Sequence, residues 1–154
     1  MVIARVRARG RLVVEGRVTL GRGVVFDVAR GARVALGDEC SVGDGCRFHV
    51  AAGEVRIGEG AVIGDRCVFA AHRSIEVGTG AVLGDEVVLI DFDHDVRDVE
   101  RPVRLQGLLT GPVRVGEHAV VGQAAAILHG AIVGDGGRVL ARSVVSGDLP
   151  ARAR

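Results

Sequence analysis

An aliphatic residue followed by Gly returns on a six-residue grid through most of this chain, and the grid breaks once, at Asp91-Phe92-Asp93-His94-Asp95. Ile57-Gly58-Glu59-Gly60-Ala61-Val62 is followed by Ile63-Gly64-Asp65-Arg66-Cys67-Val68 and then by Phe69-Ala70-Ala71-His72-Arg73-Ser74. An apolar residue opens each hexad and a small one sits four places on. The same pattern opens at Leu36, Val42 and Phe48, again at Val77, Leu83 and Leu89, and after a gap at Val115, Val121, Ile127, Val133, Val139 and Val145. Three hexads make a period of about 18 residues, too short for a unit to bury its own apolar face, so each unit must stack on its neighbours.

The grid predicts an all-β fold: a parallel β-solenoid with three short strands per coil, the opening aliphatic pointing inward and the Gly or polar residues after it forming the corner. Gly tolerates corner backbone angles that a β-carbon penalises, and β-branched residues suit the flat flanks. Each buried aliphatic contributes about 2 kcal/mol, which lets a column of them hold a fold whose aromatic content is only 3%. Amphipathic helices compete poorly, because apolar positions six apart with Gly between them match neither the 3.6-residue period nor helix propensity.

The 154 residues, 48% of them hydrophobic, read as a single domain over 1–154, with no Pro/Ser linker to divide them. Residues 1–17 are expected to form an N-terminal cap. Residues 91–114 leave the grid for too long to be a tight corner, and a long polar loop in a compact domain is usually functional or disordered; they are expected to form an extruded active-site loop. The formal net charge of +1 and the lack of aromatic platforms give no reason to expect nucleic acid or an anionic membrane as partner. Met1 to Gly10 carries alternating arginines where a signal peptide needs an unbroken apolar core, and no long apolar run reads as a membrane span, so the expected location is the cytoplasm. All basic residues other than His are Arg; without Lys, Schiff-base chemistry and lysine phosphate loops are excluded.

Cys40, Cys46 and Cys67 fall at the inward small position that Ala61, Ala81 and Ala119 occupy elsewhere, and are expected to be buried packing residues. There is no CxxC pair, so neither a zinc knuckle nor a disulfide framework is supported, and no metal is expected. His49, His118 and His129 stand at different phases of their hexads and read as structural or solvated. His94 differs, because it closes the last hexad before the excursion and is flanked by Asp91, Asp93 and Asp95. A carboxylate beside an imidazole can fix its tautomer, as a general base requires.

From about Leu36 to Pro150 the chain resembles the hexapeptide-repeat acyltransferases, left-handed parallel β-helices that move an acyl group from acyl-CoA to a hydroxyl or amine. The resemblance is closest to the maltose, galactoside and polysaccharide O-acetyltransferases. Two blocks carry it. From Ile57 the hexads, with a two-residue insertion at Ile75-Glu76, lead to His94 at the place of the family's catalytic His. The second block is VGEHAVVGQAAAILHGAIVGDGGRVLARSVVSGDLP. The resemblance implies acetyl-CoA as donor, a sugar-like hydroxyl acceptor, direct transfer with His94 as general base, and a homotrimer with its active site between subunits. It places the CoA arm along coils within 115–150, at Gln123, Ala141, Ser146 and Gly147, and the acceptor near His72, Gly64 and Asp93. The chain departs from the family pattern with Val120 in place of Trp, Arg142 in place of Gly and Gly147 in place of Lys. Two other uses of such a solenoid are a non-catalytic scaffold and a γ-class carbonic anhydrase; the latter needs converging histidines, typically a pair five residues apart on one coil, which this sequence does not contain.

Overall fold

The grid winds into a three-sided parallel β-solenoid. The structure, a computed structural model, describes residues 5–149, with side-chain surroundings for 8–147; residues 1–4 of the expected cap and Pro150 of the expected CoA-side coils lie outside the described residues. The first coil is β1 (Arg5–Ala8), β2 (Arg11–Val14) and β3 (Thr19–Leu20), and the second is β4 (Val25–Val28), β5 (Arg33–Leu36) and β6 (Ser41–Val42). The third is β7 (Arg47–Val50), β8 (Glu54–Ile57) and β9 (Val62–Ile63), and the fourth is β10 (Val68–Ala71), β11 (Ser74–Val77) and β12 (Val82–Leu83). The fifth starts with β13 (Val88–Ile90) and leaves the solenoid through β14 (Phe92–His94), a 3-10 turn at Val103–Leu105 and β15 (Leu108–Thr110). It resumes as β16 (Val113–Val115) and β17 (Val120–Val121); β18 (Ala126–Ile127), β19 (Ile132–Val133) and β20 (Arg138–Val139) make the sixth coil, and β21 (Val144–Val145) and β22 (Asp148–Leu149) open a seventh.

One strand from each coil builds each face. The first face runs β1-β4-β7-β10-β13-β18-β21, the second β2-β5-β8-β11-β16-β19-β22 and the third β3-β6-β9-β12-β17-β20. Every pairing in these faces is parallel and in register, for example Phe48 with Phe69, Val55 with Ile75 and Leu83 with Val121. The exception is the excursion, where β14 and β15 pair antiparallel, Phe92 opposite Thr110 and His94 opposite Leu108.

The opening residues of the hexads do point inward: Leu36, Phe48, Ile57, Phe69, Val77, Leu83, Leu89, Val115, Val121, Ile127 and Val133 are all buried. Down the first face Phe26, Phe48 and Phe69 stack with centroids 4.8 and 4.6 Å apart, the spacing of adjacent strands. Leu89 and Ile127 continue the column above them. The repeat is not uniform. Val14 pairs with Leu36, Leu36 with Ile57 and Ile57 with Val77, so coils before the excursion take 20 to 22 residues, whereas Val115 pairs with Val133 only 18 residues on. The extra residues lengthen the strands of the first two faces to four residues in the first four coils; Ile75 and Glu76, an insertion on the hexad grid, are ordinary members of β11.

Cys40, Cys46 and Cys67 are buried, as the small inward position requires. Burial pushes the Cys40 thiol up to about 11. The Cys67 thiol is also pushed up, by the neighbouring Cys46 thiol and by burial. Among the described residues no helix is long and apolar enough to cross a membrane.

Candidate functional site

The corners between faces place the candidate residues. Where the third face turns into the first, the Gly-Asp pair of one coil stacks on that of the next: Asp44, Asp65 and Asp85 each accept the backbone N–H of the residue below, Arg22, Asp44 and Asp65, at 2.8 Å. A short acid that accepts an exposed backbone N–H of the coil below, 20 to 22 residues away, is a reason for Asp there. The series stops at the excursion. In the next coil Gln123 stands over Asp85, and Ala141 stands over Gln123. Gln123 and Ala141, both expected to meet the CoA arm, therefore occupy the stretch of this corner that carries no carboxylate.

The excursion leaves from a different corner, where the first face turns into the second. His72 turns this corner in the fourth coil, the excursion replaces it in the fifth, His129 turns it in the sixth, and Ser146 and Gly147 in the seventh. Of the expected acceptor residues, His72 and Asp93 thus share an edge with His94, whereas Gly64 lies on the opposite edge of the first face, in the Gly-Asp column. The expected CoA residues divide in the same way, Gln123 and Ala141 on one edge of that face and Ser146 and Gly147 on the other.

Asp91 roots the excursion. It continues an inward column of Val28, Val50 and Ala71 and is fully buried. Its Oδ1 accepts the N–H of His72 at 2.7 Å, and its Oδ2 accepts those of Arg73 and Ser74 at 2.7 and 2.6 Å. Its carbonyl accepts the N–H of Gly111 at 2.9 Å, where the chain re-enters, and Gly111 in turn accepts the N–H of Gly130, next to His129, at 3.1 Å. One residue on, the Phe92 ring meets the His72 ring edge-on, centroids 4.3 Å apart. His94 lies on the same side of β14 as Phe92, because alternate residues of a strand share a face, and it is exposed.

The three acids around His94 are committed elsewhere. Asp91 holds the corner below, the Asp93 carboxylate accepts the backbone N–H of His94 itself at 2.7 Å, and Asp95 pairs with Arg97 through contacts of 2.9 and 2.6 Å. The hydrogen bonds from the Arg97 guanidinium and backbone hold the Asp95 carboxyl down at about 2. None of the three therefore supplies the imidazole-orienting bond that their sequence order suggests. Further out, Gln106 closes the loop: its amide oxygen accepts the N–H of Asp98 and its NH2 donates to the carbonyls of Asp98 and Arg101. Around this polar centre Val96, Val99, Val103, Leu105 and Leu108 face outward. The missed features are the anchoring by Asp91 and the place of His129 beside the loop's root. Neither was visible on a grid that loses its register between Asp91 and Val115.

Hollows in the surface at Ala8, Arg9 and Asp27, and along the corner from Glu15 through Glu59 to Glu117, lie away from His94. Among the described residues no group of three or more His, Cys, Asp or Glu side chains is disposed to hold a metal ion.

Fold and excursion together define a class: a three-sided parallel β-solenoid that displays one His-bearing loop at a corner. No protein-family model matches the chain. Over 144 residues, 93% of its length, it is 29% identical to the probable acetyltransferase Rv3034c of Mycobacterium tuberculosis. The chain spans about half, 48%, of that relative. Among solved structures, a single-site mutant of AntD, an N-acyltransferase from Bacillus cereus, in complex with dTDP and coenzyme A, superposes with a TM-score of 0.68 at 19% identity, over 90% of this chain and 74% of AntD. The polySia-specific acetyltransferase NeuO superposes with a TM-score of 0.58 at 18% identity, over 96% of this chain and 74% of NeuO. The two solved structures share the solenoid fold, and the relative is named as a probable acetyltransferase, in line with the resemblance in the sequence.

Proposed function

We propose that this chain is an acyl-CoA-dependent acyltransferase that moves an acetyl group to a hydroxyl of a sugar or polysaccharide precursor. The observation that carries the reading is the position of the solenoid's excursion: it sets His94 at the corner shared with His72, immediately before the coils in which the corner acids give way to Gln123 and Ala141. The relative named as a probable acetyltransferase supports the same reading. AntD, solved with coenzyme A, is an N-acyltransferase, so an amine acceptor is an outcome the assay must include.

In this mechanism an imidazole nitrogen of His94 takes the proton of the acceptor hydroxyl as its oxygen attacks the thioester carbonyl carbon. A backbone N–H at the solenoid edge steadies the oxyanion. Collapse of the tetrahedral adduct breaks the C–S bond; the CoA thiolate leaves and takes up the proton from His94, and the acceptor keeps the acetyl group as an ester. The residues that meet the cofactor arm in this reading, Gln123 and Ala141 on one edge of the first face and Ser146 and Gly147 on the other, and those that meet the acceptor, His72 and Asp93 on one edge and Gly64 on the other, come together only across two copies of the chain. Holding both substrates in line supplies much of the acceleration. No covalent enzyme intermediate is needed, and the buried cysteines are placed for none.

The working unit in this reading is a homotrimer with the site between subunits. The outward apolar residues of the loop, with Val62 and Val82 on the third face, are surface that another copy would cover. Sedimentation equilibrium then gives about 48 kDa, three times the 16.0 kDa chain.

The test is a panel of sugar hydroxyl and amino-sugar acceptors with acetyl-CoA, following free CoA thiol and acetylated product together. The expected result is thiol release matched by ester formation, and a higher melting temperature with CoA. A chain that neither binds CoA nor releases thiol with any acceptor is not an acyltransferase.

A further inference from the structure

We propose that Asp91 is the positioning residue of this site: its buried carboxylate and its carbonyl lock His94 against the corner that carries His72. The proposal rests on the acyltransferase reading for its kinetic consequence but not for its structural one.

Asp91 is unlike the other corner acids. Asp38, Asp44, Asp65, Asp85 and Asp135 each accept one backbone N–H. Asp91 accepts three, and it is the one buried charged residue among the described residues. A carboxylate withdrawn from water is tolerated only when hydrogen bonds replace its hydration, and bonds of 2.6 to 2.7 Å to an ionised acceptor are the strong kind. Had the position called only for a corner, the apolar residues of the column below it, Val28, Val50 and Ala71, show that none of this is required for packing.

What the carboxylate adds is linkage. It fixes the backbone of His72, Arg73 and Ser74 from one side while the carbonyl of the same residue fixes Gly111 at the return of the excursion. Both ends of the loop are tied to the His72 corner through a single side chain and its peptide group. Phe92, the next residue and the first of β14, meets the His72 ring edge-on. His94 follows two residues later on the same side of a strand held by β15. The distance from the loop's anchor to its imidazole is therefore one short strand, and little freedom remains for His94 to move relative to His72.

The substitution Asp91→Asn keeps the volume and places an NH2 where a carboxylate oxygen accepted an N–H, so a donor faces a donor in one of the three contacts or more. Asp65→Asn is the control, an equivalent change at a corner acid on the opposite edge. With histidine-selective isotope labelling, Asp91→Asn is expected to move the ring resonances of His72 and His94 together and to leave those of His49 and His118 in place, while Asp65→Asn moves neither His72 nor His94. In the transfer assay kcat falls about tenfold or more in Asp91→Asn with the KM for acetyl-CoA within about twofold, the pattern of misplacement rather than lost cofactor binding. A variant that loses thermal stability but keeps both ring signals and kcat makes Asp91 a structural cap only, and overturns the proposal. If Asp91→Asn does not fold, Phe92→Leu tests the same linkage, and unchanged His94 signals in that variant also overturn it. Wild-type protein without any transfer activity removes the acyltransferase reading, and the ring signals then decide on Asp91 alone.

Discussion

Two glycines at different corners are needed for different reasons, and replacing them separates the two. Gly84 has ordinary backbone angles, but a β-carbon on it stands 2.8 Å from the backbone nitrogen of Gln123 and 3.1 Å from its Cα. Ordinary contact for a β-carbon begins near 3.4 Å, so the Gln123 corner has to recede by about 0.6 Å. That corner is held on both sides, by Gly84 donating to Val121, Gly122 donating to Val139 and Ala124 donating to Asp85, all at 2.8 Å. Overpacking against backbone that cannot rotate away costs about 1–3 kcal/mol, which for a domain of this size lowers Tm by about 2–12 °C. Gly60 is the opposite case: a β-carbon there meets nothing within 4 Å, but φ is +66°. Its replacement by Ala costs about 1 kcal/mol for the left-handed backbone alone.

Asn visits that backbone region readily, so the order inverts between the sites. Gly60→Asn melts above Gly60→Ala, and Gly84→Asn melts no higher than Gly84→Ala, when thermal unfolding is followed by far-UV circular dichroism. Gly84→Ala is also expected to weaken CoA binding, because the displaced corner carries Gln123, whereas Gly60→Ala leaves it unchanged. A Gly84→Ala protein melting within about 1 °C of wild type refutes the close stacking of coils on which this reasoning depends.

Two further outcomes depend on charge. The Asp95 carboxyl titrates at about 2 and returns toward its ordinary value in Arg97→Ala; because its folded value is depressed, the ordering of the loop it contributes is present above the ordinary carboxylate range and is lost as pH falls toward 2, read by NMR titration of Asp95. The Cys40 thiol, raised by burial to about 11, works in the other direction: its contribution is complete below the ordinary thiol value of 9.0 and is lost as pH rises from there to about 11. Cys40→Ala should flatten the alkaline fall in stability, and Ellman's reagent should leave all three thiols untouched until the protein unfolds.

The inward columns were legible because an apolar residue opens hexads six apart over most of the chain; Phe48, Leu83 and Val121 are buried for the reason their spacing suggests, while the longer coils before the excursion carry extra residues that a six-residue grid does not count. The same rule exposed the excursion and put His94 at its edge. Asp91 escaped it, since a binary pattern assigns an acid to the surface. Only the three corner N–H groups 17 to 19 residues away explain a carboxylate in a core column. The acids beside His94 misled for a related reason: adjacency in sequence says nothing about whether a carboxylate is already occupied, as Asp93 is by a backbone N–H and Asp95 by Arg97. His129 needed the closure of the loop by Gly111 and Gly130 before its corner could be assigned.

His94→Ala tests the general-base role most directly. Its CoA affinity by isothermal titration and its Tm should match wild type, since His94 is exposed and contributes nothing to the core, while kcat for acetyl transfer falls by about two to four orders of magnitude, the range for losing a general base. Equal turnover in His94→Ala and wild type would contradict it.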